Sequence, residues 1–142
     1  MNKENNLQRF IDAQKNDYEI ALSEIKQGRK RSHWMWYIFP QVQGLGFSSM
    51  SKLYAIKNLE EAELFLQHPV LGKRLINICN ELLILPGNDA HIIFGSPDDA
   101  KLAFSMTLFS LVKNADPVFQ LVSDKFFNGV KDAKTLEIMN VG

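Results

Sequence analysis

Apolar residues that recur every three or four positions constrain this chain more than any other feature. From Leu7 through Phe10, Ile11, Tyr18, Ala21, Leu22 and Ile25, with Gln14 in register, they draw one stripe along a helix. Asn6 is a candidate cap at its start, and Gly28 lies where it would end. A similar stripe of Leu71, Leu75, Ile78, Cys79 and Leu82 predicts a helix over 70–85. Strand-type alternation is missing. The segment "AHIIF" (90–94) has no second strand to pair with and is read as non-strand.

Local punctuation supplies the other helices. Ser32 is read as the cap of a short helix running to Phe39 and ended by Pro40. A further one is expected from about Ser48 to Ile56. Asn58 should cap "LEEAELFLQ", whose first-turn acids suit the helix dipole. Ser96-Pro97-Asp98-Asp99 reads as a helix start with Ser96 as cap, the helix reaching about Lys113. Asp116 and Asp132 are expected to cap the last two helices, with Gly129 between them. The fold class is therefore all-α: one compact multihelical domain, 1–142, of about six to seven helices.

Sixteen basic and sixteen acidic residues cancel, which argues against general nucleic-acid binding. The one cysteine, Cys79, can form no intrachain disulfide, and the three histidines, His33, His68 and His91, show no metal-ligand spacing. No metal and no cofactor is expected. His68, before a proline at a helix break, is read as structural. No apolar run approaches the roughly 20 residues needed to span a bilayer. The polar opening "MNKENNLQRF" is unlike a secretory leader, so the expected location is cytoplasmic.

The segment "GRKRSHWMWYIFPQVQGLGFSSMS" concentrates both tryptophans behind a basic run. One reading is a helix buried on every side. The other is a pocket wall, in which Lys30 at a helix N-terminus holds an anion and Trp34 and Trp36 offer stacking surfaces. Gln41 extends that wall, and Gly44, Gly46 and Ser48 form a rim. In the later helix Asp98, Lys101 and Ser105 share a face, with Thr107 on another side. His33 and Asp98 are the candidate acid/base residues. This reading treats Lys30 as a ligand contact separable from the fold and Trp36 as a core ring.

The runs "RFIDAQ", "ALSEIKQGRKRSHWMWYIFPQVQGLG", "HPVLGKRL", "FGSPDDAKLAFSMTLF" and "KDAKTLEIM" resemble domain-of-unknown-function family 1810 over about 7–139. Some members carry the label calpastatin. The resemblance implies a mainly helical fold and no assigned activity. Phe104 departs from the serine expected there. A looser similarity, carried by Lys101, Met106 and Lys125 to Phe127, is to the NADAR family, which processes ADP-ribose adducts. The reading that follows is a domain that binds, and as an enzyme would process, a phosphate-bearing nucleotide-type ligand such as an ADP-ribose derivative. Its rival is a protein-interaction module whose groove takes a partner helix.

Cys79 lies on the apolar face of its helix and is expected to be buried. Native protein should therefore react with a thiol reagent far more slowly than a free model thiol; equal rates would refute the burial.

Overall fold

The computed structural model describes residues 4–140. Nine helices, and no strand, occur among them. Three have only four or five residues, and one of these, over 90–94, falls on a segment not expected to be a helix, so the count exceeds six to seven. α1 (Glu4–Lys26) buries Leu7, Phe10, Gln14, Tyr18, Ala21 and Ile25, the stripe read from the sequence. It already includes Asn6, which is therefore not its cap.

The end of α1 is set by Gly28 at φ +77. The Arg29 amide donates to Glu24 O at 3.0 Å and the Gly28 amide to Ile25 O at 2.8 Å. This pair of bonds satisfies the last carbonyls and turns the chain back, a geometry that glycine adopts without steric penalty. α2 (Met35–Ile38) follows, a single turn. Its cap position is Trp34, not Ser32, because the Ser32 hydroxyl is drawn to Glu24 instead. A lone parallel bridge then joins Val42 to Ile56.

α3 (Ser49–Leu53) is capped by Ser48, whose hydroxyl accepts from Ser51 N at 3.1 Å. It is shorter than the helix expected to Ile56. Arg9 pins the connection after it, donating to Leu53 O and Ala55 O, each at 2.8 Å, and pairing with Glu61 at 3.2 Å. α4 (Leu59–Gln67) has Asn58 as its cap, as expected, through Glu61 N at 2.9 Å. α5 (Leu71–Ile84) starts under His68, whose Nδ1 accepts from the Val70 and Leu71 amides. "AHIIF" is α6 (Ala90–Phe94), a short helix capped by Asp89.

α7 (Asp98–Ser110) begins without the Ser96 cap and ends before Lys113. The early amide of Asp99 finds Gly95 O at 2.9 Å, so the serine hydroxyl is not needed. Asp116 accepts from Val118 N at 2.8 Å at the head of α8 (Val118–Phe127), although Pro117 holds the cap position. α9 (Ala133–Ile138) is capped by Asp132, as expected.

Packing follows from the stripes. α5 lies against α1, α4 and α8, and α7 against α4, α6, α8 and α9. A chain of rings, Phe10–Phe65–Phe109–Phe119, joins α1, α4, α7 and α8 with centroids 5.1, 5.4 and 5.7 Å apart. Each such pair adds roughly 0.5–1.5 kcal/mol beyond its buried area. Cys79 is fully buried, burial raises its thiol pKa, and its sulfur lies 3.8 Å from Met106 Sδ. No helix among the described residues is long and apolar enough to cross a membrane.

α4 and α5 meet at Gly72, where an added Cβ would lie 2.0 Å from the Leu66 carbonyl oxygen. Backbone cannot swing aside as a flexible side chain can. Gly72→Ala should therefore destabilise the protein by roughly 1–3 kcal/mol or more, read as a lower urea midpoint; an unchanged midpoint would show that the two helices are free to separate.

Candidate functional site

The aromatic segment is organised by a carboxylate that the sequence reading did not single out. Glu24, in the last turns of α1, is only 7% exposed. It accepts from Arg31 N at 2.8 Å, Ser32 N at 3.0 Å, Ser32 Oγ at 2.5 Å and Trp34 Nε1 at 2.9 Å. Burial pushes its pKa up, but the bonds from Ser32, Arg31 and Trp34 outweigh it and hold the carboxyl down to about 2. The available signal was its position: Glu24 stands three residues after Ala21, at the edge of the apolar stripe, just before the basic run.

Above this hub lie two lysines and one aspartate. Lys30 Nζ is 2.8 Å from Asp98 Oδ2, and Lys101 Nζ is 3.2 Å from Asp98 Oδ1. Each ammonium also faces an indole: Lys30 is 5.0 Å from the Trp34 ring centroid and Lys101 is 3.8 Å from that of Trp36. The structure thus brings together Lys30, Trp34, Trp36, Asp98 and Lys101, which are up to 71 residues apart in sequence (101 minus 30).

Two roles differ from the sequence reading. Lys30 is not separable from the fold: its side chain is 8% exposed, Nζ also donates to Ser32 O at 2.5 Å, and its amide donates to Ile93 O at 2.7 Å. The core ring is Trp34, at 1% exposure, whereas Trp36 is only partly buried. The difference arises because the Trp34 N–H has a buried acceptor in Glu24.

The other expected site residues are spread out. His33 is exposed, and its carbonyl accepts from the Tyr37 hydroxyl at 3.1 Å. Thr107 Oγ1 accepts from Asp132 N at 2.8 Å and so anchors α9. Gly44 packs against Ile138, Gly46 against Ser51, and Ser48 caps α3. Gln41 and Ser105 are buried, and Gln41 Oε1 and Ser105 Oγ have no hydrogen-bond partner. A cleft of about 470 Å³, lined in part by Leu66, Ile76, Val112 and Phe119, lies apart from all of these residues. No group of three or more metal-ligating side chains occurs among the described residues.

These features define an all-helical protein with a lysine–aspartate–lysine cluster set on an aromatic turn. The chain belongs to the family described as protein of unknown function, DUF1810, whose model matches residues 4–139. It is similar in structure to the conserved hypothetical protein Rv1873 from Mycobacterium tuberculosis, at 41% identity over 96% of this chain and 97% of that one, with a TM-score of 0.92. No curated protein matches the chain. Neither the calpastatin label nor the NADAR similarity appears in these comparisons. Of the pieces that carried the latter, Lys101 lies in the cluster. Met106 is core, and Lys125 Nζ caps the carbonyls of Leu82, Leu83 and Leu85 at the end of α5.

Because Glu24 titrates near 2 in the fold and near 4.5 when unfolded, its contribution is full above about pH 4.5 and fades as pH falls toward 2. The shift corresponds to roughly 3 kcal/mol. Glu24→Gln, which keeps an oxygen for the three N–H donors on Oε1 but removes the charge and sets an NH2 against the Ser32 hydroxyl, should cost up to about that much at pH 7 and much less at pH 3, by urea unfolding. An equal loss at both pH values would assign the effect to packing.

Proposed function

We propose that the chain binds a phosphate-bearing, nucleotide-type small molecule at the lysine–aspartate–lysine cluster. The observation that carries this reading is the pair of ammonium groups sharing one carboxylate, each against an indole face. One carboxylate is thus shared by two ammonium groups at a partly buried surface. Lys101 spends one contact on Asp98 and has further N–H donors for a phosphate oxygen. Trp36 beside it offers a face on which a base can stack. Within that class an ADP-ribose derivative suits the cluster, since it carries a diphosphate for the ammonium groups and an adenine for the indole.

The arrangement supports binding better than catalysis. Both Asp98 oxygens are engaged by lysines, so the first task of Asp98 is to position the two ammonium groups. His33, exposed beside the cluster in sequence, is the candidate acid/base group if the ligand is turned over. A second reading, a protein-interaction module, is favoured by Phe47, Met50 and Leu53, which are 89%, 40% and 52% exposed along the loop and α3. Those side chains form an apolar edge that the small-molecule reading leaves unused.

Trp34 and Trp36 are the only tryptophans, so emission reports on this site directly. Titration with ADP-ribose should give a saturable emission change. Lys101→Ala should weaken binding by about tenfold or more, with the helical circular dichroism unchanged. Emission that stays flat to millimolar ligand, or a Lys101→Ala variant that binds as well as the parent, would remove the reading.

A further inference from the structure

Arg29 and Arg31 flank Lys30 in the basic run but take no part in the cluster. Lys30 turns inward to Asp98, while both arginines are exposed. Arg31 Nη1 donates to Gln27 Oε1 at 2.5 Å and is thereby laid against the end of α1. That end is one wall of a cleft of about 320 Å³, whose other walls are the 85–89 turn and α6. The volume is at the lower end of the range of binding clefts.

The cleft has an apolar lining and an apolar lip. Leu85, Pro86, Ile92 and Ile93 line it. Ile92 is 69% exposed, and Ile84, next to Leu85 in the chain, is 74% exposed. Isolated exposed isoleucines need no explanation, but an exposed one on the wall of a concavity gives an apolar group somewhere to seat.

The rim has a definite sign. Lys26, Arg29 and Arg31 are all exposed there or in the residues that continue that wall. Opposing them are Asp89, whose Oδ1 is taken up by the His91 and Ile92 amides, and about half a negative charge at the end of α1. Glu24, the carboxylate of the same turn, is buried and saturated by its own donors. Three cations exceed what faces them.

We propose that this face docks an acidic peptide segment of a partner protein, with one apolar side chain in the cleft and flanking carboxylates on Arg29 and Arg31. Guanidinium groups suit carboxylates through paired N–H donors. A nucleic-acid strand fits less well: it would leave the apolar lip without a counterpart, and the chain has no net basic charge. The proposal is independent of the nucleotide reading, since it uses none of Asp98, Lys101 or Trp36.

The test is fluorescence anisotropy with a labelled short peptide carrying one central leucine among glutamates, and native protein. Saturable binding is expected. Ile92→Ser, or serine in place of the peptide leucine, should weaken it by about fivefold or more. Arg29→Glu combined with Arg31→Glu should weaken it further and flatten its salt dependence. All three protein positions are exposed, and circular dichroism checks that the variants stay folded. Lys101→Ala should bind the peptide normally, which separates this face from the cluster. No saturable binding at millimolar protein would overturn the proposal. So would binding indifferent to Ile92→Ser, which is mere ion exchange, or tighter binding of a uridine-rich oligonucleotide than of the peptide.

Discussion

One buried carboxylate decides how the basic and aromatic segment sits. Glu24 accepts two backbone amides, a hydroxyl and an indole N–H from the ten residues that follow it. Burying a charge without partners is prohibitive, so the segment has to fold back over the end of α1 to supply them. Once it does, Trp34 is placed inside and Lys30 is carried toward α6 and α7. The Lys30–Asp98 pair is the second consequence, not the first.

Features that depend on near neighbours were legible in the sequence. The stripe of α1, the turn at Gly28, the Asn58 and Asp132 caps and the buried face around Cys79 all rest on interactions within one or two helical turns. Features that depend on distant partners were not. Ser32 reads as a helix cap until Glu24 claims its hydroxyl, and Ser96 reads as one until the Gly95 carbonyl takes the amide it would have served. Trp34 and Trp36 look alike in sequence, and only the position of Glu24 tells which is core.

The same distinction applies to the candidate site. Spacing placed Asp98 and Lys101 on one helix face, and they do share an ion pair. Spacing could not show that Lys30 meets them, nor that Thr107 is occupied in holding α9. A lysine drawn as a free ligand contact proved to be part of the framework, while the basic residues on either side of it stayed outside. The run Arg29-Lys30-Arg31 therefore divides its charges between interior and surface.

Chain entropy ranks the contacts around Trp34. Glu24 and its partners are separated by seven to ten residues, whereas Lys30 and Asp98 are separated by sixty-eight (98 minus 30). Closing the shorter loop is about 2 kcal/mol less unfavourable. The turn that carries both indoles is thus nearly self-contained, held by contacts that ask little of the rest of the chain. Helix α7 docks onto a surface whose shape is already specified, and its Asp98 carboxylate ties that turn to the helix through Lys30.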